Sequence, residues 1–235
     1  MAENVVLVTG GGRGIGRAVC ARFAREGRQI VAVSRTVGEL NETKASVERA
    51  GGRCHIHPAD VGSQDAVQSL VDDVVKRFGR IDTLVNCAGI APLSAIEELT
   101  ADLFEKILAG NVRSTYLTCR AVWPVMKSKG GGVIVNLSSI ASVDPFAGFA
   151  AYGAAKAWVN AWTRGLAEEG RSCGIRVFAV APGAVETRML RDPFPDFPKR
   201  DTLDPDHVAD AVHAVTQAAC RYATGQTIFV RRQGD

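Results

Sequence analysis

The run Asn4-Val-Val-Leu-Val-Thr9-Gly10-Gly-Gly12-Arg13-Gly14-Ile15-Gly16 constrains this chain more than any other segment. Its apolar, β-branched start reads as a strand buried on both faces of a parallel sheet. Glycines follow at once, and then Ile15, Val19 and Phe23 recur at helical period. Strand, glycine turn and helix is the setting in which a pyrophosphate rests on backbone N–H groups at a helix N-terminus. A Cβ would obstruct both the turn and the approach of the phosphates. The spacing is Gly10-x-x-x-Gly14-x-Gly16 and not the strict G-x-G-x-x-G, so the bland alternative is a flexible glycine loop without a ligand.

The same alternation continues to the end of the chain. Strands are expected at 4–9, 29–34, 53–57, 81–86, 132–138, 175–180 and 226–230. Helices are expected near 14–26, 38–50, 63–78, 100–129 with a break, 151–170 and 205–219. Such alternation argues for an α/β fold with a mostly parallel, seven-stranded sheet and helices on both faces. No linker or repeat divides it, so residues 1–235 are expected to form one domain. The stretch from Leu190 to Pro205 carries four prolines, which exclude a regular helix or central strand there.

Composition narrows the function by exclusion. Charged residues make up 23% and the net charge is +3 without a basic run, which gives no case for nucleic acid or a membrane surface. A strand at residue 4 leaves no room for a secretory signal, and no apolar stretch approaches transmembrane length, so a cytoplasmic protein is expected. Six cysteines without a C-x-x-C pair read as reduced thiols. His55 and His57 alternate on a strand, but no neighbouring ligand set in the sequence joins them, and no metal site is expected.

Tyr152-Gly-Ala-Ala-Lys156 places an ammonium and a phenol one turn apart on a helix. A nearby positive charge favours the phenolate and lowers its pKa from about 10. Such a phenol exchanges a proton with a carbonyl or alcohol oxygen at physiological pH. Taken alone, the pair reads equally as two surface residues that happen to stand four apart.

Together the two segments resemble the short-chain dehydrogenase/reductase family, and the resemblance runs over nearly the whole chain. Thr9-Gly-x-x-x-Gly14-x-Gly16 matches its cofactor motif and Tyr152-x-x-x-Lys156 its catalytic motif. Asp60-Val61, Asn86-Cys-Ala88-Gly89, Asn111, Ser139 and Pro182-Gly183 follow in the family's order at compatible intervals. The 3-oxoacyl-carrier-protein reductases and small carbonyl reductases are the members it is most similar to, Ala181-Pro-Gly-Ala-Val185-Glu-Thr187-Arg-Met included. The resemblance implies a doubly wound Rossmann domain that binds a nicotinamide cofactor and exchanges a ketone for a secondary alcohol.

On that reading Ser139 holds the substrate oxygen, Tyr152 gives the proton and Lys156 tunes Tyr152 and grips the nicotinamide ribose. Ser138 should point to the opposite face of its strand. Asn111 is implied to hold a relay water at a helix break; its other reading is a tolerated polar residue. Asp60 is implied to contact the adenine, or else serves as a turn or N-cap before the next helix. Thr187 is implied to contact the nicotinamide carboxamide, or is an ordinary loop threonine. The family more often has Asn where Cys87 stands, and no local base suggests a reactive thiol.

The second strand ends in Ser34-Arg35-Thr36 and not in an acidic residue. With Arg13, these suit a 2′-phosphate, through charge-assisted contacts, and so point to NADP(H). Arg35 otherwise reads as a solvated residue after a strand. Residues 189–203 should form a substrate lid, shorter than in typical family reductases. Met189, Leu190, Phe194 and Phe197 either line an apolar pocket or pack the loop, with Phe146 and Phe149 as the facing wall. Arg188, Arg191, Lys199 and Arg200 are the candidates for docking an acyl carrier protein. The C-terminus lacks the family's usual Asp-Gly-Gly ending, which puts one subunit contact in doubt. A homodimer or homotetramer is still expected through the 111–129 and 151–170 helices. A small-molecule carbonyl reductase is thus one hypothesis, an NAD-dependent alcohol dehydrogenase its variant. A non-catalytic nucleotide-binding sensor, free to lose Ser139, Tyr152 or Lys156, is the rival of another class.

Overall fold

A computed structural model describes residues 4–232. Seven parallel strands form one sheet in the order β3-β2-β1-β4-β5-β6-β7. They are β1 (Val5–Thr9), β2 (Gln29–Ser34), β3 (Arg53–Pro58), β4 (Thr83–Asn86), β5 (Gly132–Leu137), β6 (Ile175–Pro182) and β7 (Thr227–Val230). Each lies within two residues of the span expected from the sequence. Residues 233–235, the end of the atypical tail, lie outside the described residues.

The helices are α1 (Gly14–Ala24), α2 (Val37–Arg49), α3 (Gln64–Phe78), α4 (Ala101–Leu108), α5 (Ser114–Ser128), α6 (Ala150–Gly170), α7 (Arg188–Arg191) and α8 (Pro205–Thr216). One core packs α1, α2 and α8 against the sheet through Val19, Phe23, Leu40, Val47, Val208 and Val212. The other packs α3, α5 and α6 through Leu70, Val74, Val122, Met126 and Leu166. With both faces covered, central strands are apolar throughout, and β1 is buried at all five positions.

Strand order reverses between β1 and β4, which opens a crevice at the carboxyl ends of the strands. Gly16 seals the glycine turn onto α1, since a Cβ there would lie 2.1 Å from Gly10 O. The break foreseen in the 100–129 helix is a π-helical turn, Ala109–Arg113, between α4 and α5. Between β6 and α8 the chain is irregular apart from the single turn α7 and a 3₁₀ turn at Lys199–Asp201.

Candidate active site

The crevice is a cavity of about 1250 Å³ that runs from the glycine turn to Tyr152. Gly10, Gly12, Arg13, Gly14, Ile15 and Gly16 line one end, at the N-terminus of α1. Arg13 occupies the N-cap of α1 without a side-chain cap, so its first amide groups are left for an anion. Ser34, Arg35, Thr36, Asp60 and Val61 line the same half, and Ala88, Gly89, Pro182, Gly183, Val185 and Thr187 the middle. Asp60 also makes the turn of its alternative reading, its Oδ1 accepting from Gly62 N at 2.9 Å. The N-cap of α3 is instead Ser63.

Two expected cofactor residues stand behind the wall and do not line it. Thr9 Oγ1 accepts from Ala88 N at 3.3 Å and so braces the β4 loop from beneath. Asn86 is held in a buried network: Thr118 Oγ1 donates to its Oδ1 at 2.8 Å, and its Nδ2 donates to Asn136 Oδ1 at 2.9 Å. Asn136 Nδ2 in turn donates to Thr163 Oγ1 at 3.0 Å. This chain ties β4, β5, α5 and α6 together directly beneath the site, a role that a motif position alone does not reveal.

At the other end, Ser139, Tyr152, Lys156 and Asn111 converge on the cavity. The β5 strand delivers Ser139 past its end, where it caps the turn Ile140–Ser142 by accepting from Ala141 N at 3.2 Å. Gly153 lets α6 lie against that turn, because a Cβ there would sit 2.6 Å from Ala141 O. Ser138 also lines the cavity, but its hydroxyl is engaged in donating to Lys156 O at 3.1 Å. Lys156 Nζ donates to Leu137 O at 2.8 Å and lies 5.7 Å from the centre of the Tyr152 ring.

Asn111 sits in the π turn, its Nδ2 donating to Ile90 O and Ile107 O, both at 2.9 Å. Its buried Oδ1 has no hydrogen-bond partner within the protein. A Cβ on Gly89 would lie 2.7 Å from that oxygen and 3.5 Å from Lys156 Nζ, so the two polar atoms face one small gap. That orphaned acceptor, with the glycine cradle and the uncapped helix end, fits a nicotinamide dinucleotide and its hydration.

The electrostatics correct one expectation. Burial raises the Tyr152 phenol above its ordinary value, with Ser139 pulling the other way, whereas the spacing of Tyr152 and Lys156 predicts a lowered phenol. Burial also brings Lys156 down to about 8. Desolvation disfavours the charged form of each, and Lys156 Nζ is turned to Leu137 O. Burial pushes the Cys87 thiol up to about 12, which keeps it protonated although it lines the cavity.

Several site residues escaped the sequence. Glu39 of α2 reaches the nucleotide end, its Oε1 3.3 Å from Arg13 Nη1 and 3.5 Å from Arg188 Nη1. Ile90, Ser114 and the C-terminal Arg231 and Arg232 also line the cavity. Only contacts across long sequence separations place these groups, so no motif signals them. The segment 189–203, expected as a lid, is braced by Arg191, whose Nε donates to Glu186 Oε1 at 2.7 Å and whose Nη1 donates to Phe197 O at 2.6 Å. Phe194 packs on Phe146 and Phe149 at ring separations of 6.2 and 6.3 Å, so the aromatic residues both line the cavity and hold the loop. His55 and His57, which found no third ligand in the sequence, both meet Asp73 of α3.

Residues 4–196 match the family described as short chain dehydrogenase. The chain belongs to that family. Among its relatives, 3beta-hydroxysteroid dehydrogenase 1 of Eggerthella lenta is 35% identical over 97% of this chain and 92% of that protein. Acetoacetyl-CoA reductase of Allochromatium vinosum is 33% identical over 97% of this chain and 96% of its own. The crystal structure of levodione reductase superimposes with a TM-score of 0.93 at 30% identity, covering 97% of this chain and 96% of the other. As a short-chain dehydrogenase the chain is an oxidoreductase that acts on hydroxyl or carbonyl groups with a nicotinamide cofactor. No described helix is long and apolar enough to cross a membrane.

Proposed function

We propose that this short-chain dehydrogenase reduces an apolar ketone to a secondary alcohol with NADPH, and that Tyr152 supplies the proton. The observation that carries the reading is the convergence of Ser139, Tyr152 and Lys156 on one cavity whose other end is an uncapped helix terminus. The bound nicotinamide supplies the hydride. Ser139 donates a hydrogen bond to the substrate oxygen and holds it against the Tyr152 hydroxyl. Tyr152 donates its proton as negative charge develops on that oxygen, which is where preorganised donors contribute most. Lys156 binds the ribose and stabilises the resulting phenolate, while Asn111 Oδ1 positions a water that returns the proton from solvent by way of Lys156.

Arg35 and the Ser34 and Thr36 hydroxyls support NADPH over NADH, since they line the nucleotide end with no acidic residue closing β2. The Glu39 carboxylate favours the second reading, an NAD-dependent alcohol dehydrogenase, because it pairs with Arg13 and would repel a 2′-phosphate. Competitive binding separates the two. NADPH at least as tight as NADH, with the margin widened by Glu39→Gln, is expected; NADH tenfold tighter overturns the NADP assignment.

Apolar substrates are favoured by the wall of Phe146, Phe149 and Phe194 and by the likeness to a hydroxysteroid dehydrogenase. Docking of an acyl carrier protein loses support, because Arg188 pairs with Glu39 and Arg191 with Glu186. A screen of NADPH oxidation over cyclic ketones, ketosteroids and β-ketoacyl thioesters identifies the substrate. On whatever ketone turns over, Tyr152→Phe should lower kcat about 10²–10⁴-fold; near-normal turnover would refute the proton-donor role. The active form is proposed to be a homodimer or homotetramer working in the cytoplasm, without nucleic acid or membrane partners.

A further inference from the structure

His55 and His57 lie two residues apart on β3, the edge strand of the sheet, and so project from one face of it. Helix α3 brings Asp73 to both. Asp73 Oδ2 is 3.1 Å from His55 Nε2 and 3.4 Å from His57 Nδ1, and the three donor atoms all lie within 4.8 Å of one another. The other carboxylate oxygen, Oδ1, is occupied by Arg77 Nε at 2.7 Å.

Two imidazoles and one carboxylate make the donor set of zinc-type ions. Bonds of about 2.0–2.2 Å at tetrahedral angles set donor atoms roughly 3.3 Å apart, close to the separations from Asp73 seen here. Each side chain is between 20% and 24% exposed, so an ion reaches the group without unfolding and leaves its remaining position to water. Arg77 holds Asp73 from outside, as the partners of metal-binding carboxylates do. Among the described residues this is the one such grouping of His, Cys, Asp and Glu, and no cysteine belongs to it. It touches none of Ser139, Tyr152 and Lys156.

We propose that His55, His57 and Asp73 bind a divalent late first-row metal ion, zinc above all, which ties the edge strand β3 to α3. The competing account is a hydrogen-bonded cluster that merely orders Asp73. Isothermal titration of the chelator-stripped protein with zinc chloride decides between them. One zinc per chain is expected, with magnesium chloride giving no binding, since magnesium prefers an all-oxygen shell. His57→Gln and Asp73→Asn, checked for fold by circular dichroism, should each weaken zinc binding by at least about 10–100-fold. Zinc should also raise the Tm of the parent chain but of neither variant. Absence of stoichiometric binding overturns the proposal. So does zinc binding that either folded variant retains undiminished, for the ion then sits elsewhere. If Asp73→Asn folds poorly after losing its Arg77 contact, the result with His57→Gln, which leaves that pair intact, is decisive.

Discussion

Lys156, the residue on which the proposed chemistry turns, is almost wholly buried. Its ammonium has Leu137 O as a hydrogen-bond partner but no carboxylate, so burial lowers its pKa from 10.5 to about 8. Between pH 8 and 10.5 the folded chain binds fewer protons at Lys156 than the unfolded chain, so raising the pH favours the folded state. Denaturant titrations of wild type and Lys156→Met should therefore show wild type gaining on the variant as pH climbs from 8 to 10, by about 1–3 kcal/mol. A difference independent of pH would mean that Lys156 is not desolvated as the structure has it. Tyr152 and Lys156 were legible in the sequence from their spacing on one helix face, and Ser139 from the resemblance to the family. Glu39 and Asp73 were not, since a carboxylate on an amphipathic helix looks the same whether it faces solvent or a site.

Among the elements, α6 matters most, because it positions Tyr152 and Lys156 against the turn that presents Ser139. Their relation depends on Gly153, whose missing Cβ leaves room for Ala141 O. Helix propensity alone would make Gly153→Ala stabilising by about 1 kcal/mol. The clash is with backbone and with Pro145, so it cannot be relieved by a side-chain rotation, and overpacking typically costs about 1–3 kcal/mol. A Tm lowered by several degrees together with reduced kcat/KM is expected; a raised Tm with full activity would show that α6 does not depend on this contact. The π turn at Ala109–Arg113 behaves similarly. A break in that helix was foreseeable from Asn111, a poor helix former. Its π geometry, with Asn111 Oδ1 buried beside Gly89 and Gly110 against Ile90, is seen only in the structure.

For the molecule as a whole, surfaces left apolar bear on assembly. Ile228 and Phe229 on β7, at an open edge of the sheet, are 38% and 40% exposed, as is Tyr116 of α5 at 38%. Next to Tyr116, Trp158 and Trp162 of α6 stack at 5.1 Å. Unpaired strand edges and aromatic patches of this kind are commonly covered by another chain. Sedimentation at micromolar concentration should give a dimer or tetramer, and a strictly monomeric species would remove the oligomer proposal. The alternation of strands and helices, the glycine turn and the Tyr152–Lys156 pair were determined by the sequence alone, because each rests on local spacing or on a periodicity of two or 3.6 residues. Only the tertiary structure decided that Thr9 and Asn86 brace the site from behind, that Glu39 answers Arg13, and that burial raises the Tyr152 phenol. Those outcomes depend on which side chains meet across the fold and on how much water they lose there, and neither is written in the spacing of residues along the chain.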